Sequence, residues 1–258
     1  MLVRKRRTER SRRRENDVNE LLAPREHHGM TPAIGAGPGP GCAAVVSVDG
    51  LYQRAADGLP CWVSDSAGGR RVLPVHRWLG GAGSNAADRA VDRALLQACT
   101  GPTLDLGCGP GRLTGALTAR GIPALGVDIS AAAVRMTIRR GGMALHQDIF
   151  APLPGLGSWA QVLLADGNLG IGGDPTRVLR RARQLLGPDG IVLVELDPPS
   201  TGVRRERLRL ETERAVGAWF PWARVGTEAA ADLAAEAGLR LLNVTELHGR
   251  FITRMKLA

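Results

Sequence analysis

The sequence predicts an α/β fold: a doubly wound, mostly parallel sheet with helices on both faces and an antiparallel C-terminal hairpin. Three observations predict it. From Ser84 onward, short apolar runs alternate with helical patterns, and such alternation winds a parallel sheet. Residues 103–112 read Thr-Leu-Asp-Leu-Gly-Cys-Gly-Pro-Gly-Arg, an apolar run that delivers three glycines into a helical pattern. The chain ends in two strand-like runs, 239–247 and 250–256, joined at His248-Gly249. A length of 258 residues with 44% apolar content suits one such domain plus extensions.

Residues 1–29 hold nine Lys or Arg and five Asp or Glu, which is +4 of the chain's +9 net charge. A basic tail of this kind could bind phosphates. It could equally be a solvated leader with no specific role, or lie upstream of a functional start at Met30. It lacks the apolar core of a signal peptide. Residues 31–41 are rich in Pro and Gly and read as a linker. Residues 1–42 are therefore tail and linker, and 43–83 a separate segment of short elements around a Ser-Asp-Ser-Ala-Gly-Gly turn. No apolar run approaches the ~18 residues of a membrane span. Cys42, Cys61, Cys99 and Cys108 show no Cys-x-x-Cys spacing, so neither a metal site nor a disulfide framework is expected, and the expected home is the cytoplasm.

The elements follow in order. Ser84 or Asn85 caps a helix with Val91, Leu95 and Ala98 on one face. A strand leads into the glycines, and a helix runs from Arg112 to Arg120, stopped by Gly121. A second strand ends at Asp128, and Ser130 opens a helix that stops before Gly141-Gly142. Strands follow at 144–147 and 162–165. Asp174-Pro175 starts a helix as an acid cap followed by proline, and it halts at Gly187-Pro188. A Gly187–Gly190 turn leads to a strand over 190–195. The insertion 198–226 has a charged, helix-prone core over 204–216 and ends in Trp219-Phe-Pro-Trp222. The last helix covers 228–237 and stops at Gly238.

The glycine bend carries the chemistry. Backbone without Cβ atoms lets a ligand approach closely. A carboxylate at the tip of the next strand can accept two hydrogen bonds from a ribose diol. Together these point to an adenosine-containing cofactor over the carboxyl ends of the strands. A dinucleotide fingerprint needs Gly or Ala where Arg112 stands, so a dehydrogenase is disfavoured.

Asp105-Leu-Gly107-Cys108-Gly109-Pro-Gly111 resembles motif I of the class I S-adenosylmethionine (SAM) methyltransferases. The resemblance extends over 84–258 and implies a Rossmann-like, seven-stranded SAM-dependent methyltransferase domain. Residues 124–130 look like motif II, which implies Asp128 on the ribose with Ile129 beside it. Residues 144–150 resemble motif III, which implies Asp148 accepting from the adenine amine and Ile149 packing on the ring. Asp166 falls where the family's fourth strand meets the methionine part of SAM. Motifs I and II are specific. Asp148 and Asp166 have an alternative as cap or turn residues. The family also implies that Tyr52, Trp62 and Trp78 cap a substrate pocket and that the insertion forms a lid, whereas the residues alone are as well read as anchors.

SAM carries an activated methyl group, so positioning does most of the work and a catalytic base is not obligatory. None is assigned. Asp166, His76 and His248 are candidates. Residues 165–174 lack the Asn/Asp-Pro-Pro-Tyr/Phe run of amino-methylating DNA and glutamine methyltransferases, and Asp197-Pro198-Pro199 follows the wrong strand. The expected acceptor is a small molecule, with no membrane involved. The alternatives are an RNA or protein methyltransferase, with nucleic acid reached through the basic tail, and a non-catalytic SAM-binding module. The acceptor atom and the oligomeric state are not encoded in any motif.

Overall fold

A computed structural model describes residues 48–81 and 84–258. The tail and linker at 1–42 lie outside the described residues. The main sheet has seven strands in the order β10-β11-β7-β6-β3-β4-β5. These are β3 (Thr103–Leu106), β4 (Ala124–Asp128), β5 (Met143–His146), β6 (Trp159–Leu164), β7 (Leu186–Leu196), β10 (Leu239–Leu247) and β11 (Arg250–Leu257). Neighbours from β5 to β7 run parallel, and the terminal hairpin β10–β11 adds to β7 antiparallel. The predicted Rossmann-like sheet with its hairpin is thus the observed one. Leu104, Leu106, Leu163, Leu164, Val192 and Leu193 on the central strands are fully buried, as parallel strands covered on both faces require.

Helix α3 (Ala86–Ala98) is capped by the Asn85 side chain, which accepts the Asp88 N–H, and it buries Val91 and Leu95. Helix α4 (Arg112–Ala119) starts at the glycine bend, and α5 (Ala131–Arg139) is capped by Ser130. Helix α6 (Pro175–Leu185) begins as predicted, with the Asp174 side chain accepting the Arg177 N–H and proline in the first turn. Helix α7 (Ala230–Glu236) precedes the hairpin. Residues 187–190, read as a turn, lie within β7, whose register against β6 shifts between Trp159 and Gln161. Residues 147–158, between β5 and β6, hold no helix. Among the described residues no helix is long and apolar enough to cross a membrane.

A second sheet lies outside the main one, antiparallel in the order β2-β1-β8-β9. Strands β1 (Trp62–Asp65) and β2 (Arg70–Val72) come from the segment before the glycine bend, and β8 (Val203–Glu211) and β9 (Phe220–Val225) from the insertion. The helix expected over 204–216 is therefore wrong. Arg207-Leu208-Arg209-Leu210 alternates at period two, which puts Leu208 and Leu210 on one face and the arginines on the other. Pairing with β1, distant in sequence, then overrides the helix propensity of arginine and leucine. Leu210 packs with Leu51 and Tyr52 of α1 (Val48–Ala56) and with Val75 of α2 (Val75–Leu79). On the opposite face guanidinium groups cover two indoles: Arg70 lies 4.4 Å from the Trp62 ring and Arg209 4.8 Å from Trp219.

Candidate cofactor and acceptor site

The site is built where β3 and β4 end side by side. Gly107 and Cys108 donate their N–H groups to the Val127 carbonyl, at 2.8 and 3.1 Å, so the bend is an extension of the sheet ladder. Gly107, Gly109 and Gly111 hold φ at 77°, 54° and 78°, the left-handed region that favours glycine. At Gly111 a Cβ would also come within 2.7 Å of the Thr137 Cα, so this glycine lets α4 and α5 approach closely. Asp128 ties the bend to the next element. One carboxylate oxygen accepts the Gly109 N–H at 2.8 Å, and the other accepts the Ser130 N–H at 2.8 Å. Burial raises the Asp128 pKa, and those two N–H groups oppose the rise.

Asp105 and Cys108 lie beneath the bend. Asp105 is fully buried and accepts the Thr114 hydroxyl at 2.7 Å. Burial first, then the charges of Asp166 and Asp128, push its pKa to about 7. The Cys108 thiol, 3.9 Å from the Thr137 hydroxyl, is held well above the usual range by burial and is no nucleophile. Around the other strand ends, Ile129 is 69% exposed, Ile149 is buried in the core, and the exposed Asp148 accepts the Phe150 N–H at 2.9 Å.

Asp166 stands at the end of β6 in the left-handed region, with φ 53°. Its carboxylate meets three guanidinium groups. Arg77 of α2 lies at 3.0 Å and Arg250 of β11 at 3.1 Å, and Arg112 of α4 contacts the second oxygen. The Asp166 N–H donates to Glu195 at the end of β7, 2.8 Å away. Arg250 also forks onto Glu195 at 2.6 Å through each of two nitrogens. Both Asp166 carboxylate oxygens are thus engaged in ion pairs. His76 and His248 are both exposed and stand outside this cluster. Asp197 of the tempting Asp-Pro-Pro run is engaged by Arg224, at 3.0 and 2.6 Å, and by the Val225 N–H.

The segment before the bend roofs this region. Asp49 of α1 accepts the Ser130 hydroxyl and, at 3.0 Å, the Ala132 N–H, so it caps α5 beside Asp128. Burial works against the Asp49 charge, yet those hydrogen bonds prevail and its pKa falls. Tyr52 is nearly buried, with its hydroxyl turned to Gly109. From the other side, the Asn168 amide donates to the Leu106 and Gly107 carbonyls at 2.9 and 2.8 Å. Sequence reasoning gave no role here to Asp49, Arg77, Glu195 or Arg250, because their partners lie far away in the chain.

A bare-backbone bend with a carboxylate at the next strand end defines a nucleoside-cofactor enzyme of the α/β class. Residues 82–244 match the family described as methyltransferase domain, and the chain belongs to that family. It is a SAM-dependent methyltransferase, and the bend and Asp128 fit that cofactor. Among solved structures, it is similar to a SAM-dependent methyltransferase from Bacteroides fragilis in complex with S-adenosyl-L-homocysteine (TM-score 0.66, 20% identity, 83% of this chain and 98% of that one). It is also similar to a sugar N-methyltransferase from Streptoalloteichus (0.50, 16%, 89% and 100%). A third is the Burkholderia thailandensis 1,6-didemethyltoxoflavin-N1-methyltransferase (0.51, 18%, 67% and 79%). No curated protein matches the chain significantly.

Proposed function

We propose that this methyltransferase acts on a small molecule. The roof carries the reading. Tyr52, Arg77 and the outer sheet cover the strand ends, and the Asp166 and Glu195 side chains are only 15% and 9% exposed. A macromolecular acceptor needs an open approach to such a site, whereas a metabolite can be enclosed and kept from water. Two fold neighbours, a sugar N-methyltransferase and a 1,6-didemethyltoxoflavin-N1-methyltransferase, accord with this.

In this reading 43–83 is a cap segment on the methyltransferase domain at 84–258. The backbone of Gly107, Cys108, Gly109 and Gly111 holds the cofactor with Asp105 supporting it from below. Asp128 and Ile129 hold the ribose, and Asp148 the adenine; the Ile149 side chain, expected on the ring, is taken up by the core instead. Asp166 lies by the methionine end. Bound SAM supplies a methyl group on a sulfonium; the chain orients its partner and excludes water. A cytoplasmic setting belongs to the same reading, since Cys61, Cys99 and Cys108 are free thiols. The test is incubation with radiolabelled SAM and fractionated cell extract. Label in a metabolite fraction is expected. Label in RNA or protein, or no calorimetric binding of S-adenosylhomocysteine at millimolar concentration, overturns the proposal.

A further inference from the structure

The loop proposed to carry the adenine contacts has no helix of its own. It is held from below by arginines of α6. The Arg181 Nε donates to the Ile149 carbonyl at 2.9 Å, and Nη2 to the Ala151 carbonyl at 2.5 Å. The two carbonyls flank Phe150. Four residues earlier on α6, and so on the same helix face, the Arg177 guanidinium sits 3.8 Å from the Phe150 ring centroid. Phe150 in turn donates its N–H to Asp148. Among the described residues Arg181 pairs with no carboxylate: its remaining nitrogen reaches the Gln184 amide oxygen at 3.2 Å. Burial lowers its pKa, so the charge is kept there against a desolvation cost.

From this geometry we infer that Arg181 is a positioning residue for cofactor selection. Its rigid fork, supported by Arg177 on Phe150, fixes the backbone on both sides of residue 150. That sets where the Asp148 carboxylate stands, and with it the recognition of the exocyclic amine of the adenine. A lysine has a single nitrogen at its tip and cannot reproduce a planar fork across two carbonyls spaced this way. The chain selects adenine over hypoxanthine through a helix on the far side of the loop.

The inference rests on the proposed role of Asp148, and one experiment separates the two. The dissociation constants of S-adenosylhomocysteine and S-inosylhomocysteine, which lacks the amine, are measured for the native protein, Asp148→Ala, Arg181→Gln and Arg181→Lys. The native protein should prefer the adenine compound by about ten- to a hundredfold, the value of a hydrogen bond to a charged group. Asp148→Ala should abolish the preference. Arg181→Gln should shrink it severalfold at least, by weakening the adenine compound and leaving the inosine compound nearly unchanged, and Arg181→Lys should do so in part. A purely structural role for Arg181 would weaken both ligands equally. An undiminished ratio in both Arg181 variants therefore overturns the inference, with the Asp148 reading intact. A native protein that does not discriminate overturns the reading itself. Should Arg181→Gln not fold, Arg181→Lys decides.

Discussion

Asp128 has two duties, and they separate by mutation. Its carboxylate accepts two backbone N–H groups, so truncation to alanine loosens the glycine bend as well as removing the proposed ribose partner. Asp128→Asn keeps one of the two acceptors and sets an amide NH2 against the other backbone N–H, so its affinity is read together with its denaturant midpoint. Calorimetry should show S-adenosylhomocysteine bound about tenfold or more weakly, as one charged hydrogen bond is worth ~1.5–3 kcal/mol; unchanged affinity would take Asp128 out of the site. Asp105 makes a different prediction. Its folded pKa of about 7 stands above the ordinary aspartate value of 3.8. The neutral acid is thus favoured in the fold. Its stabilisation is complete below pH ~4 and is lost as pH rises through about 7, a change on the order of 4 kcal/mol. Urea unfolding of native protein and Asp105→Asn across pH 4–8 should show that fall only in the native protein. The glycines, Asp105 and Asp128 were legible in sequence because each belongs to a continuous strand–turn pattern. The burial that raises Asp105 was not, since it comes from the flanking strands β4 and β6, while the Thr114 hydroxyl of α4 opposes the rise.

At the scale of elements, the terminal hairpin is both sheet edge and site wall. Arg250, the first residue of β11, joins Glu195 of β7 to Asp166 of β6, and Arg112 adds α4. Arg250→Met should leave these partly buried carboxylates underpaired, at a cost of about 3–5 kcal/mol. Denaturant midpoints test this, and a loss under 1 kcal/mol would reduce the cluster to a surface network. Helix starts and stops were legible, because Asn85, Ser130, Asp174 and Gly121 act through hydrogen bonds or conformations within a few residues. Strand β8 was misread as a helix. Its period-two signal spans few residues, and its partner β1 is far away in sequence.

At the scale of the whole molecule, two sheets divide the work: the parallel one presents strand ends, and the antiparallel one with α1 and α2 covers them. The cover is fastened by Asp49 on α5 and by Arg77 on Asp166. Asp49→Ala removes a helix cap worth about 1 kcal/mol, which corresponds to about fivefold faster opening. Hydrogen exchange should show this in α1 and in the first turn of α5, with β3, β6 and β7 unchanged. Uniform acceleration would mean that the roof and the core open together.

Local sequence by itself determined the alternating fold, the glycine bend and its acid, and the terminal hairpin. Each is written in hydrophobic period, backbone freedom and short-range hydrogen bonding, which act between near neighbours. Only the tertiary structure decided the roof, the second sheet and the arginine cluster on Asp166. The β1–β8 pairs are 143 to 149 positions apart and the Asp166 ion pairs 54 to 89, and pairing and charge at such separations exist only once the chain has closed upon itself.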